Sequence, residues 1–257
     1  MEMIDFPVSE LESMKKYPDQ LYCKGSLELL NRPKVSMVGT RRPSAYTRQY
    51  TYELAKALAR RGVCIVSGAA MGVDAIAHQG AGAENTIAVM ANGLDIRYPA
   101  VNRVLIEEVE KKGLTLSQFD PDFKATQWSF VLRNELVVAL GEFLIVTEAD
   151  EKSGSMRSVE YALQMGKKIY VLPHHLNESG GTNQLLREGL AEPLYDIEAF
   201  ASQFGQAVDD GAAKDEFFYF CQKSPTLDEA LECFGERIYE AELEGMVMIE
   251  NGLIRLV

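Results

Sequence analysis

The chain has 257 residues, 47% of them hydrophobic, which is enough to bury a full core and excludes general disorder. Its 26 Lys and Arg against 38 Asp and Glu leave a net charge of −12, so bulk coating of a polyanion is not expected: phosphate is repelled at long range. Cys23, Cys64, Cys221 and Cys233 form no C-x-x-C pair, no apolar run approaches a bilayer span, and MEMIDFPVSE lacks the basic start of an export signal, so a cytoplasmic protein with reduced thiols, no thiolate zinc site and no membrane contact is expected.

In chain order, residues 1–33 read as a short helix and a turn-rich lead-in. From Lys34 onward, short apolar runs alternate with longer stretches of helical period. The first run, VSMVGT, ends in Gly39-Thr40-Arg41-Arg42. A helix follows: Ser44 can cap its start, Thr51, Leu54, Ala55 and Leu58 fall at i, i+3, i+4 and i+7, and Arg60, Arg61 and Gly62 form its end. VCIVSG closes on Ser67-Gly68 and leads to a helix over about 72–81, and TIAVMANG ends in Asn92-Gly93 before a helix over about 101–111. LTLSQF precedes a helix over about 133–140, FLIVTEA leads through Ser153-Gly154-Ser155 to a helix over about 155–165, and KIYVLP is the last run. Strands alternating with helices predict an α/β fold, a parallel sheet with helices on both faces. After Phe200, SQFGQAVDDGAAKD is small and polar and reads as a linker. Beyond it, two or three helical segments and the hairpin-like MVMIENGLIRLV, with Asn251-Gly252 as its turn, outline a small winged-helix-like domain over 215–257 and leave 34–204 as the main domain.

Ligands of a parallel α/β sheet bind beyond the carboxyl ends of its strands, and here those ends are small and polar. Glycines at such turns let a ligand approach the backbone, and the following helix N-termini offer free N–H groups to an anion. The segment from Asn31 to Gly62 adds charge: Arg32, Lys34, Arg41, Arg42, Arg48, Lys56, Arg60 and Arg61 stand against Glu53 alone, a local balance of +7. The stretch from Gly211 to Val257 has a balance of −6, so phosphate is not expected to meet the tail. Each feature also has a plain structural reading. Gly39-Thr40-Arg41-Arg42 can be a tight turn with solvated arginines, Ser155 an N-cap, and Asp74 a first-turn helix charge or internal hydrogen-bond partner. Phe130 and Arg133, three apart, place an aromatic ring beside a cation on one helix face, although core packing is the usual fate of such a Phe. His78, His174 and His175 show neither zinc-binding nor triad spacing, and His78 reads as a packed histidine. The first turn lacks G-x-G-x-x-G, so no dinucleotide cofactor is expected.

Read together, VGTRRPSAYTRQY, VSGAAMGVDAIAH, TIAVMANGLDIRYPAVN, SFVLRNELVVAL and EADEKSGSMRSVEYALQMGKKIYVLP resemble, in order and spacing, the DNA-processing protein A family (DprA, also called Smf). The resemblance runs from about Val35 to Leu190. It implies a Rossmann-like domain that binds single-stranded DNA, protects incoming strands in natural transformation and helps load the RecA recombinase, as a homodimer through that domain and without being an enzyme. It places Arg41, Ser67, Gly68, Phe130, Arg133, Ser153, Gly154 and Ser155 at the DNA, with Gly39, Thr40, Arg42 and Asn134 in the same motifs. The family commonly has Arg where this chain has Met71 and Glu135, which implies a smaller pocket or greater reliance on Arg41 and Arg42. Aromatic stacking beside a few cations would make binding tolerant of sequence. The rival expectation is a nucleoside-monophosphate hydrolase of the lysine-decarboxylase-like type, for which Ser153 to Glu160 resembles the phosphate turn and Glu160 takes the catalytic position.

Overall fold

The computed structural model describes residues 1–205, 216–221, 225–235, 237–243, 246–250 and 252–256. Its contacts divide into two compact units, Met1–Val208 and Asp209–Val257. The first contains β1 (Glu2–Met3), β2 (Tyr22–Gly25), β3 (Lys34–Val38), α1 (Ala45–Ala59), β4 (Cys64–Ser67), α2 (Val73–Ala81), β5 (Thr86–Val89), α3 (Arg103–Lys112) and β6 (Leu114–Ser117). It continues with α4 (Gln127–Leu140), β7 (Leu144–Val146), α5 (Gly154–Gln164), β8 (Ile169–Val171), α6 (Gly180–Arg187), β9 (Glu192–Pro193) and α7 (Ile197–Ala201).

The strands form one sheet in the order β1-β2-β6-β5-β4-β3-β7-β8-β9. All pairings from β6 to β9 are parallel, whereas β2 runs antiparallel to β6 and β1 antiparallel to β2. The expected Rossmann-like architecture is present. Its central strands read as unbroken apolar runs because both faces are covered: every residue of β3 is buried. Within the run a period of two persists. Val35 and Met37 join Leu54, Leu58 and Ala77 of α1 and α2, while Val38 joins Leu136 and Val137 of α4 and Val159 of α5 on the opposite face.

Local signals account for most helix boundaries. The Ser44 hydroxyl accepts the Thr47 N–H at 3.2 Å and starts α1, whose buried stripe contains Thr51, Leu54, Ala55 and Leu58. Helix α4 begins earlier than the expected 133. Its start is a capping box between Thr126 and Ser129, and Trp128, Val131 and Leu132 are exposed, so the apolar period that marks a buried face is broken over its first turns. Strands β1 and β9, of two residues each, are too short to show a period, and β2 lacks the unbroken apolar run of the central strands; all three escaped the sequence reading with α6 and α7.

Residues 1–33, expected as a lead-in, lie inside the first unit. β2 extends the sheet, and Leu11, Leu21, Leu29 and Leu30 join the cluster beneath α4. The Lys15 N–H donates to Glu135 at 2.7 Å, so the buried Glu135 carboxylate is turned toward this layer.

The second unit contains α8 (Glu216–Cys221), α9 (Leu227–Phe234) and α10 (Arg237–Leu243), then an antiparallel pair of β10 (Val247–Glu250) and β11 (Leu253–Leu256). Phe217, Cys221, Ala230, Ile238, Ala241, Val247 and Ile254 form its core. Asn251 of the expected turn and residues 206–215 of the expected linker lie outside the described residues. Among the described residues, no helix is long and apolar enough to cross a membrane.

Candidate nucleic-acid interface

The strand order reverses at β3, with β4 on one side and β7 on the other, and a crevice opens beyond the carboxyl ends at such a point. Here it is a cavity of about 570 Å³. The end of β3 supplies Gly39, Thr40 and Arg41, the end of β4 Gly68, α4 Phe130, Arg133 and Asn134, and the start of α5 Ser153, Gly154 and Ser155. Every expected site residue except Arg42 and Ser67 lines it.

Those two exceptions have local causes. Ser67 is fully buried and its hydroxyl donates to the Met37 carbonyl at 2.7 Å, so it ties β4 to β3. Arg42 is exposed outside the cavity, its N–H donating to the Thr40 hydroxyl at 3.2 Å. The basic stretch read from the sequence is not one patch. Strand β3 and helix α1 run in opposite directions, so the ends of the stretch lie at the pole away from the crevice. There Lys34 is buried 2.6 Å from Glu10, Arg32 donates to Gly62 and Asn85, and Arg61 pairs with Glu198 at 2.7 Å.

Phe130 is the centre of the site. Its ring lies 5.3 Å from the Arg41 guanidinium and 5.8 Å from that of Arg133. The two arginines differ. Arg41 is exposed and forms no ion pair among the described residues. Arg133, expected as a cation lining the DNA pocket, is only 4% exposed; its Nη1 donates to the Val89 carbonyl at 3.0 Å and lies 3.9 Å from Asp74. Burial pushes the Asp74 carboxyl above its ordinary value, while Arg133 and the amides of Ala70 and Gly68 pull the other way. Arg133 is therefore a wall of the crevice, offset in charge by Asp74.

Gly68 makes that wall. A Cβ there would lie 1.3 Å from Arg133 Nη1, so the space expected for a ligand is filled by the guanidinium. At Gly154, by contrast, a Cβ would meet nothing within 4 Å, and the start of α5 stays open. Asn134 spans the gap, its side-chain amide donating to the Gly154 carbonyl at 3.4 Å. The loop after β4 is held from both sides: Asp74 takes the Gly68 and Ala70 amides, and the Asn102 amide donates to the Ala69 and Ala70 carbonyls at 3.0 Å each. This fixes Ala69 at φ 51°, a left-handed conformation rare for alanine.

The sequence reading missed Val38, Ala70, Asp74, Gln127, Val131, Val137, Arg157 and Ser158 as lining residues. An earlier start for α4, signalled by Thr126 and Ser129, would have found Gln127. Arg157 pairs with Glu160 at 2.8 Å, and Glu160 is exposed and does not line the cavity. Neither Met71 nor Glu135 lines this cavity: Met71 borders a smaller hollow beside it, and Glu135 accepts the Lys15 N–H. His78 is fully buried with neither ring nitrogen hydrogen-bonded; burial and the nearby Arg133 charge lower its pKa to about 3, so it is neutral. Among the described residues, no cluster of His, Cys, Asp or Glu could hold a metal ion.

A profile of the family described as DNA recombination-mediator protein A matches residues 2–205. The chain is 35% identical over 193 residues to the DNA processing protein DprA of Bacillus subtilis, covering 73% of this chain and 65% of that one. It is 32% identical over 209 residues to the Smf protein of Escherichia coli, covering 78% of this chain and 55% of that one. It thus spans about half to two thirds of these relatives' lengths. The DNA processing protein A of Helicobacter pylori, solved for its single-stranded DNA binding mode, superposes with a TM-score of 0.77 at 42% identity, covering 79% of this chain and 94% of that one. The Streptococcus pneumoniae protein gives 0.70 at 31%, covering 76% and 69%.

Proposed function

This chain belongs to the DNA recombination-mediator protein A family, and on that premise we propose that its crevice holds single-stranded DNA. The observation that carries the reading is the Phe130 ring set 5.3 Å from Arg41, an exposed cation at the mouth of a cavity at the switch point. A base can stack on the ring without being read by hydrogen bonds, and Arg41 with the free amides at the start of α5 attracts the adjoining phosphate. Because Asp74 offsets Arg133, the interior suits an uncharged base and the charge is concentrated at the rim. Binding of this kind tolerates any sequence. A duplex, whose bases are already paired and stacked, gains less from it.

We propose further that the protein shields incoming strands in natural transformation, helps load the RecA recombinase, acts in the cytoplasm as a homodimer through its Rossmann-like unit, and catalyses no reaction. The hydrolase alternative assigns catalysis to Glu160, which does not line the cavity and is paired with Arg157, and no observation favours it. The test is fluorescence anisotropy with labelled oligo-dT and a duplex of equal length, each at several salt concentrations. The single strand should bind more tightly, with log affinity falling by about 0.7 per log unit of salt for each phosphate engaged. Equal affinity for duplex, or a salt-independent constant, would overturn the reading.

A further inference from the structure

We infer that Tyr98 forms a second nucleobase subsite, next to the Phe130 crevice and on the far side of the loop after β4. The inference rests on the single-strand reading above and deepens it. A smaller concavity shares Arg41, Gly68, Ala70 and Phe130 with the main cavity, and its remaining wall is Met71, Ala91, Asn92, Tyr98 and Pro99. The two hollows thus meet along one edge; the second, about 20 Å³, is too small to enclose a base, so the base rests on the exposed Tyr98 ring at its lip.

The chemistry of the second wall selects its occupant. Asn92 is buried, and its side-chain amide already donates to the carbonyls of Gly93 and Ile96. The Asn102 amide is likewise committed to the Ala69 and Ala70 carbonyls, and Asp74 holds the Gly68 and Ala70 amides. The side-chain amides there are thus spoken for, and a phosphate would turn to Arg41 on the shared edge. A base face finds a tyrosine ring, a methionine thioether and a proline ring. Tyr98 is 49% and Met71 46% exposed, although both carry large apolar groups that a protein normally covers. The Tyr98 ring lies 6.2 Å from Phe130 with planes 55° apart, so the two rings touch the same path while presenting separate faces. Arg41, which reaches the Phe130 ring and lines both hollows, is placed to meet the phosphate that joins the two bases.

The support for Tyr98 is preorganised. Asn102 pins the loop at Ala69 and Ala70, and Asn92 anchors the turn through Gly93 and Ile96. The backbone beside Tyr98 therefore has little freedom left to lose when a base stacks on its ring.

The experiment compares full-length wild type, Tyr98→Ala and Tyr98→Phe for oligo-dT affinity, and maps photocrosslinks from oligo-dT carrying 5-iodouracil. Tyr98→Ala should weaken binding about five- to a hundredfold, the effect of one lost base–aromatic stack, with the salt slope unchanged because no phosphate contact is removed. Tyr98→Phe should restore most of that affinity, and the wild-type crosslinks should include the peptide carrying Tyr98. Wild-type affinity in Tyr98→Ala, or crosslinks confined to other peptides, would overturn the subsite while leaving the Phe130 crevice standing. If the wild type itself fails to bind oligo-dT, the single-strand reading fails and the subsite falls with it.

Discussion

Two arginines that stand alike in the sequence do different work because one is in water and the other is not. Arg41 is exposed, so Arg41→Ala should leave thermal unfolding almost unchanged, weaken oligo-dT binding and reduce the salt slope by about 0.7. Anisotropy titrations at several salt concentrations would read both effects, and an unaltered slope would remove Arg41 from the phosphate path. Arg133 is buried against Asp74, and Arg133→Ala would leave that carboxylate without its partner. Urea unfolding should show a loss of about 3–5 kcal/mol, the usual result of breaking a buried pair. Adding Asp74→Asn should recover much of that loss, because the uncompensated charge is then gone; no recovery would mean that the pair is not the source. Gly68→Ala belongs with these, since its methyl group would collide with the guanidinium. It should cost about 1–3 kcal/mol through overpacking and displace the Phe130–Arg133 contact.

At the scale of elements, the crevice depends on helices packing so closely that polar groups go without partners. Helices α1 and α2 bury the Thr51 hydroxyl and both His78 ring nitrogens with no hydrogen bond. Because the folded pKa of His78 is about 3 against an ordinary 6.5, the unfolded chain takes up the proton first on acidification. The stability present above about pH 6.5 is therefore lost as pH falls toward 3, approaching about 1.4 kcal/mol per pH unit below the upper value. Urea midpoints at roughly pH 7 and pH 5 for wild type and His78→Leu should show a steeper decline in the wild type. Parallel declines would assign the acid sensitivity elsewhere. Helix α4 carries Phe130, Arg133 and Asn134 on its N-terminal half, and its capping box sets where that half begins. Its exposed Trp128 packs edge-on against Phe119 and Phe123, which ties the start of the helix to the loop after β6.

At the scale of the whole molecule, a net charge of −12 coexists with a crevice whose free cation is set at its rim. The net negative charge repels a polyanion at long range while the rim attracts it locally, which on the proposed reading favours a strand that can thread a base inward over a rod that must lie along the surface. The second unit, with its acidic balance, is expected to add little to that threading. Deleting residues 209–257 should leave oligo-dT affinity within about threefold of the full chain, a change of less than about 0.7 kcal/mol. Complete loss in gel shift would assign the acidic unit a part in the site. The sequence by itself determined the alternation of strands and helices, the small polar strand ends and the motif order that marks the family, because periodicity, capping and turn chemistry are properties of neighbouring residues. It also carried ten of the eighteen lining residues of the crevice, those of the strand ends and the F-x-x-R-N motif. Tertiary structure alone decided that Arg133 is walled in by Asp74 and Gly68, that Ser67 is a tie between strands, that the basic stretch divides between two poles, and that Tyr98 borders the crevice. Each of these follows from distances between segments remote in the chain, and burial, which turns a cation from a ligand into a wall, is set only when those segments meet.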